Sequence, residues 1–283
     1  MKTGLVTAIS ALILFTGTVV WSAFKLVPWS TSQSEFKVTR LIPDRVSTNA
    51  WFFNSEIPAN VYVDAPVFVE IDNSFAGIEL QGDTSLFSYL LLTVSTASEY
   101  SPNNVSIIFK SLVATGSARD LTKEQQEAQD FTHMEALRNA HVVVRIGVQK
   151  MKMLGTPNFS FQHCKKVTTL QPLTTANLGL SIFQTDSVQM NLHTGDLTIN
   201  FPTFSLRNPP NWVKLEGESS RVAATNFSTG VFNATGLKVR DFYMQNLKNA
   251  DVRISASHLA RIRQVENCKI QVDGNPQYKW IEE

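Results

Sequence analysis

Short apolar segments that alternate with polar residues recur through the last third of the chain, from Trp212 to Gly274. Because successive side chains of a β-strand point to opposite faces, this alternation is typical of half-buried strands. Gly, Asn, Asp and Ser, which accept turn conformations, separate the segments. The apolar segments are residues 213–215, 222–224, 237–239, 242–244, 252–254, 259–262 and 270–272.

The spacing of glycines suggests how these strands are arranged. Gly195, Gly217 and Gly236 lie about twenty residues apart. An internal period of this size, with very short strands, predicts a coil of stacked parallel strands. Asp273-Gly274 is the one dipeptide in the stretch that is typical of a two-residue hairpin turn. The sequence therefore favours an all-β coil of short parallel strands, and a β-sandwich stays open as the alternative.

The region upstream, residues 36–116, also alternates and is expected to form strands. Whether it adds turns to the same coil or forms a separate β domain stays open. Its predicted strands are residues 37–41, 50–53, 60–63, 67–71, 78–80, 89–94 and 105–109.

The N-terminal segment 1–27 contains an uncharged apolar run, residues 3–24, between Lys2 and Lys25. A helix needs roughly 20 such residues to cross a bilayer, so we predict a transmembrane anchor followed by a polar tether, residues 28–35. The alternative is a secretory signal that is cleaved after export. We expect the large domain to lie outside the cytoplasm, although the basic residues after the run argue for the opposite orientation.

Residues 117–140 break the β pattern because they lack Gly and Pro and are rich in Glu, Gln and Ala. They predict one inserted helix. Thr122 and Gln125 have the spacing of a capping box, and Phe131, Met134 and Leu137 would share one face. The expected role is a surface helix packed on the β body, with a partner-binding appendage as the alternative. The β pattern resumes over residues 141–278.

No catalytic, cofactor or metal site is predicted. The phosphate-binding and hydrolase motifs that carry recognisable glycine spacing are absent from the sequence. Asp196 and Glu216 lie about one turn of the predicted coil apart and are the candidate carboxylate pair for a glycan-cleaving enzyme. The histidines do not have metal-ligand spacing: His133, His141, His163, His193 and His258.

Basic residues could form a modest strip, but the net charge of +1 argues against a nucleic-acid partner. Alternation along a strand would place Arg261 and Arg263 on one face. Four Asn-x-Ser/Thr sequons, at Asn104, Asn158, Asn226 and Asn233, would be incidental if the protein is bacterial. The other members of the basic strip are Lys150, Lys152, Lys165, Lys166 and Arg253.

The two cysteines, Cys164 and Cys268, are 104 positions apart. In a regular coil that is about five turns, or on the order of 25 Å at the usual strand spacing. A disulfide needs Cα atoms within about 7 Å of each other. We therefore expect two buried, free thiols.

The chain resembles the head GIN domain family of bacterial envelope proteins, which are described as auto-transporter adhesins. Val265–Cys268 departs from the family's usual Gly-Ser-Gly turn, and residues 117–140 look like an insertion. The phrases that carry the resemblance are residues 61–63, 67–71, 141–144, 153–155, 250–256 and 270–276, with Gly82 and Leu259.

The resemblance implies a right-handed parallel β-helix in the envelope of a Bacteroidetes-like bacterium and no established enzymatic activity. The expected function is a non-enzymatic, membrane-anchored binding or structural module, adhesin-like, whose partner is a glycan or a protein. The alternative is a carbohydrate-active enzyme, a polysaccharide lyase or hydrolase that uses a carboxylate cleft. Fold alone does not decide between them.

Overall fold

The computed structural model describes residues 37–41, 59–95, 103–115, 121–148, 157–202 and 211–282. Several predictions fall outside these ranges: the anchor 3–24, the tether 28–35, the strand 50–53, and Lys150 and Lys152 of the basic strip. Within the described residues no helix is long and apolar enough to span a bilayer.

The described chain is mainly β-structure. A short 3-10 helix spans Thr84–Tyr89, α1 is Leu112–Thr115 and α2 is Lys123–Asn139. The strands are β1 Lys37–Leu41, β2 Ala59–Asp64, β3 Phe68–Asp72, β4 Ala76–Gly82, β5 Leu90–Ser95, β6 Asn103–Phe109, β7 Val143–Val148, β8 Asn158–Gln162, β9 Lys166–Thr169, β10 Leu173–Phe183, β11 Ser187–Asn200, β12 Asn211–Thr225, β13 Ser228–Ser255, β14 Leu259–Glu266, β15 Lys269–Asp273 and β16 Tyr278–Glu282.

Parallel pairing joins these strands into a coil of about six turns. One side, which we name stack A, runs through β6, β2, β8, β10, β11, β12, β13, β14 and β16, with β5 added antiparallel at its end. Register aligns one inward-facing residue per strand: Val105, Val61, Phe159, Leu180, Ile199, Ala224, Met244, Ile262 and Ile281. All of these are buried except Ile281, which is in the last strand.

Two further stacks complete the coil. Stack B aligns Val69, Val167, Val188, Val213 and Phe232 across successive strands, and β15 extends it from β13. Stack C is formed by residues 173–175, 192–194, 217–219 and 237–239, which are also in parallel register. The predicted parallel coil is confirmed, and its right-handed sense stays a prediction.

The core is a continuous column of apolar side chains between the stacks. Val, Ile, Leu and Phe occupy most inward positions, and five phenylalanines are fully buried: Phe159, Phe161, Phe227, Phe232 and Phe242. Phe227 and Phe232 make edge-to-face contacts with Phe201 at ring-centroid distances of 4.8 and 6.3 Å. Apolar burial of this kind is the main stabilising contribution to a parallel coil.

Left-handed backbone marks the corner where stack A passes into stack B. Asn226, Asn246 and Gln264 have φ of 64°, 58° and 54°, and the residues three positions later, Thr229, Asn249 and Asn267, are also left-handed. Asn is the side chain that tolerates this region best after Gly. The side chains also join successive turns, since Asn246 Nδ2 donates to Asn226 Oδ1 at 2.8 Å.

The glycines whose spacing suggested the coil do not stack on one another in the structure. Gly217 is aligned with Leu192 and Leu237, whereas Gly236 is aligned with Glu216. Gly217 is needed for its own reasons: its φ is +105°, and a Cβ would lie 2.1 Å from the Leu192 carbonyl oxygen. The spacing of about twenty residues was correct, but the repeating feature is the left-handed corner.

The N-terminal strands belong to the same sheet system as the coil, which the sequence left open. β2 pairs with β6 on one side and β8 on the other, and β3 lies in the same way between β7 and β9. The β2–β3 turn is therefore enclosed between two turns that come later in the chain. Antiparallel strands β4 and β5 pair with β7 and β6 at this end of the coil.

The inserted helix connects β6 to β7 and packs on the coil at the corner between stacks A and B. Its predicted capping box is present: Gln125 N donates to Thr122 Oγ1, and Thr122 N donates to Gln125 Oε1. The predicted apolar face is only partly correct. Leu137 is fully buried, Met134 is half-buried, and Phe131 is 69% exposed.

Truncation of a core residue tests the coil. Leu237 is fully buried and aligned with Gly217, which has no side chain to fill the space. Leu237→Ala should lower the free energy of unfolding by roughly 2–5 kcal/mol, measured by urea denaturation. Lys238→Ala is the matched control because its side chain is 83% exposed, and it should change stability by less than about 0.5 kcal/mol. Equal effects of the two changes would contradict the inward position of Leu237.

Candidate binding surfaces

The five histidines lie at separate places, and four of them have a neighbour that accounts for their position; His193 lines a groove on stack C. His133 stacks on Tyr89 with ring centroids 4.0 Å apart, and His141 packs against Phe68 at 4.5 Å. His163 and His258 each place Nδ1 2.7 Å from an aspartate oxygen. Within the described ranges no group of three or more His, Cys, Asp or Glu side chains is placed to hold a metal ion.

The candidate carboxylate pair is not brought together. Asp196 is aligned with Arg221, and the two side chains form an ion pair on stack A. Glu216 is aligned with Asn191, and its Oε1 lies 2.6 Å from Lys214 Nζ. The two carboxylates therefore face different cations at different positions around the coil. A glycan-cleaving site needs two carboxyl groups that face each other across the bond.

The predicted basic strip divides between two sides of the coil. Arg261 and Arg263 do share the outer face of stack A, as their spacing predicted. Arg253 lies on stack B, where it forms a bidentate pair with Asp251. Lys165 lies at the corner beneath α2.

Both thiols are free, as predicted. They lie at the same corner, five strand pairings apart along stack A, so the predicted separation holds. Burial raises the pKa of the Cys164 thiol to about 12. Cys268 is only half-buried, because it belongs to one of the last turns, and its predicted burial was wrong.

A groove of about 540 Å³ follows the corner beside α2. Lys165 forms its base: the ammonium donates to the carbonyl oxygens of Leu137 and Ala140 at 2.7 and 2.5 Å. These carbonyls end α2, so a cation there satisfies acceptors that the helix leaves free. Burial lowers the pKa of Lys165. The groove is lined by Pro66, Phe68, Arg138, His163, Lys165, Gln184 and Asp186.

Asp64 organises the polar side chains at the rim of this groove. Its two oxygens contact His163 Nδ1 at 2.7 Å and the Tyr62 hydroxyl at 2.9 Å. The hydrogen bond with Asp64 raises the pKa of His163. Burial and the bond to Asp64 raise the pKa of Tyr62 to about 12, so Tyr62 remains a neutral donor. The hydrogen bonds of Asp64 fix the positions of the His163 and Tyr62 side chains. The neighbouring Cys164 thiol is buried, so it is not available as a nucleophile.

A second groove, of about 500 Å³, lies on stack C, where the rows of side chains are polar. Lys238 and Glu218 form an exposed ion pair across it at 3.2 Å, and Ser219 donates to the Gly195 carbonyl oxygen beneath it. It is open and has no enclosed reaction chamber among the described residues. Thr175, His193, Thr194, Gly195, Glu218, Ser219, Ser220, Lys238 and Arg240 line it.

The outer face of stack A carries a third, smaller groove, of about 220 Å³, at its C-terminal half. This surface was not predicted from the sequence, because the predicted coil ended at residue 278. β16 adds one more strand, and its Tyr278 and Trp280 are 49% and 54% exposed. The alternation of Tyr278, Trp280 and Glu282 was the available signal. The groove itself is lined by Ala223, Ala224, Thr225, Tyr243, Met244, Gln245, Arg261 and Arg263.

Comparison with solved structures finds this fold in a protein from Bacteroides fragilis described as a putative adhesin. The TM-score is 0.54 over 87% of this chain and 91% of that chain, at 13% sequence identity. Likeness at this identity shows the fold alone. A putative lipid binding protein from Parabacteroides distasonis matches with a TM-score of 0.45, at 10% identity over 89% of this chain and 98% of that one.

A third structure, a putative adhesin from Parabacteroides merdae, has a TM-score of 0.42 at 13% identity over 88% of this chain and 95% of that one. No protein-family model matches the sequence. A search of curated proteins also finds no match.

The pair of Asp64 and His163 makes stability depend on pH. Because the pKa of His163 is raised in the folded state, its contribution is fully present below about pH 6.5, the unfolded value, and is lost as pH rises through the folded pKa. Asp64→Asn should therefore destabilise the protein more in mildly acidic than in alkaline solution. The effect is modest because the His163 side chain is 44% exposed.

Urea denaturation at several pH values and an NMR titration of His163 check this expectation. Asp186→Asn is the control. Asp186 lines the same groove, but it is not one of the groups that shift the pKa of His163. An unchanged His163 titration in Asp64→Asn would contradict the assignment.

Proposed function

We propose that the chain is a non-enzymatic binding module of the bacterial envelope, adhesin-like in function. In this proposal residues 3–24 anchor it in the inner membrane and the β domain faces the periplasm. Export with cleavage of the N-terminal segment is the alternative for its location. Its partner is an extended glycan or a protein.

The observation that carries the proposal is the set of outward rows, in which side chains repeat at the spacing of one strand, about 4.8 Å. Asp196, Arg221 and Asp241 form one such row of alternating charge. Asn104, Asn60 and Asn158 form another, joined by side-chain hydrogen bonds of 2.8 and 3.2 Å. Regular rows of this kind suit a ligand that is itself repetitive.

The positions of the carboxylates and the similarity to a solved structure also support the proposal. The candidate carboxylates Asp196 and Glu216 are not brought together, which favours binding over the alternative of a carbohydrate-active lyase or hydrolase that uses this pair. The description of the Bacteroides fragilis protein as a putative adhesin is compatible with this function. The head GIN resemblance of the sequence points to the same place, the envelope, and belongs to the proposal.

The test uses intact spheroplasts that produce the full chain, incubated with fluorescently labelled polysaccharides and envelope proteins. The proposal predicts that a ligand is retained at the surface, that its length is unchanged, and that external protease removes the binding. Sequencing should find the N-terminus near Met1.

Spheroplasts without the chain are the control for adsorption. If the polysaccharide is shortened during the incubation, the enzymatic alternative replaces the proposed binding function. Protection of the domain from external protease would overturn the orientation.

A further inference from the structure

Three large planar side chains stand in one row on the outer face of stack A. Tyr243 is aligned with Arg261, and Arg261 is aligned with Trp280. The rows on either side align Asp241, Leu259 and Tyr278, and Gln245, Arg263 and Glu282. The three strands therefore present a small grid of aromatic and hydrogen-bonding groups, which we name the aromatic–arginine platform.

The contacts within the platform hold its rings and its guanidinium in place. The Arg261 guanidinium carbon lies 5.4 Å from the centroid of the Trp280 ring, a cation–π contact. His258 meets Tyr278 edge-to-face at 5.6 Å and is itself held by Asp241 at 2.7 Å. Tyr278 and Trp280 stay about half exposed. Exposed rings that lie together in one patch, rather than singly, mark an interaction site.

The shape of the surface changes abruptly where the platform begins. Along the central row, the earlier turns carry Gly179, Thr198 and Ala223, and the later turns carry Tyr243, Arg261 and Trp280. The small side chains leave a step beside Tyr243, and the groove of about 220 Å³ occupies it. A chain-like ligand can rest in the step and lie along the rings.

Charge on the platform is unbalanced at Arg261. Arg263 has Glu282, whose Oε2 lies 3.2 Å from its Nε. Asp241 is occupied by His258 and by Arg240, whose Nε lies 3.6 Å away. Among the described residues Arg261 forms no ion pair with a carboxylate, and its guanidinium contacts the Trp280 ring. Guanidinium groups bind carboxylates through two parallel hydrogen bonds, so a ligand carboxylate would supply the missing partner.

We infer that the aromatic–arginine platform is the binding site for an acidic glycan, a chain of sugars that carry carboxylates. This inference rests on the proposed binding function and gives it a site and a ligand class. Sugar rings present flat C–H faces, and these pack on Trp280, Tyr278 and Tyr243 as apolar surface does. Arg261 pairs with the carboxylate, while Gln245 supplies further hydrogen bonds.

The ligand is distinguished from nucleic acid by the limited charge of the surface. A polyphosphate strand is bound by a long basic groove, whereas here Arg263 and Arg240 are already neutralised by Glu282 and Asp241. One unpaired guanidinium beside aromatic rings matches a single ligand carboxylate next to a sugar ring, and it does not match a run of phosphates.

The test measures binding of the purified full chain to polygalacturonate oligomers by calorimetry and by tryptophan fluorescence. Fully methyl-esterified oligomers are the matched ligand control, since they keep the sugar faces and lose the carboxylates. The acid should bind at least about tenfold more tightly than the ester. Arg261→Gln should remove that preference, and Trp280→Ala should weaken both ligands and abolish most of the fluorescence change.

Two variants elsewhere on the surface serve as controls. Lys238→Gln removes one positive charge from stack C, and Trp212→Ala removes a tryptophan that is 39% exposed at the start of β12. Both should leave the affinity unchanged. All four substitutions lie at exposed or half-buried positions, and thermal unfolding confirms that each variant is folded.

Equal affinities for acid and ester, or equal losses from Arg261→Gln and Lys238→Gln, would overturn the inference. Binding of single-stranded poly(dT) with the same dependence on Arg261 and Trp280, in place of the glycan, would also overturn it. If the wild-type chain binds some other ligand independently of Arg261 and Trp280, the inference about the platform is wrong and the proposed function stands. A chain that retains no ligand in the spheroplast test removes the proposed function as well.

Discussion

Each turn of the coil depends on keeping an apolar side chain in the same inward place while the chain changes direction. Extended backbone alone cannot do this, because a corner interrupts the alternation of inward and outward residues. The left-handed residues between stacks A and B, such as Asn226, Asn246 and Gln264, supply the change of direction. The inward column Ala224, Met244 and Ile262 can then stay in register from one turn to the next. The outer rows inherit the same register, so the geometry of every surface follows from the corner.

Much of this architecture was predictable from alternation. The strands, the buried positions and the parallel coil follow from local pattern, because period-two burial leaves a direct trace in the sequence. The repeat was assigned to Gly195, Gly217 and Gly236, which do not stack, although their spacing was close to the true one. The asparagines of the corner were the better signal. The position of β2 between β6 and β8 left no local trace, because it depends on pairing between distant segments.

The candidate surfaces were less predictable than the fold. The pairing of Arg261 and Arg263 on one face follows from their spacing, but the neighbours that make a surface come from other turns. Trp280 meets Arg261 only because β16 adds to β14 in register, and the separation of Asp196 from Glu216 depends on where each turn bends. The composition of the site therefore depends on how strands from different turns pair, and no local sequence motif encodes it. The comparison at a TM-score of 0.54 supports the fold and leaves the ligand to the surface chemistry.

The order of strands in stack A is the central structural claim, and disulfide trapping tests it directly. With Cys164 and Cys268 replaced by alanine, cysteines at positions 60 and 158 lie on adjacent strands, about 4.8 Å apart, and should form a bond on oxidation. Cysteines at positions 104 and 158 are separated by β2, at about twice that distance, and should stay reduced. Mass spectrometry of the oxidised proteins distinguishes the two. A bond between positions 104 and 158, with none between 60 and 158, would contradict the enclosed β2–β3 turn and the register built on it.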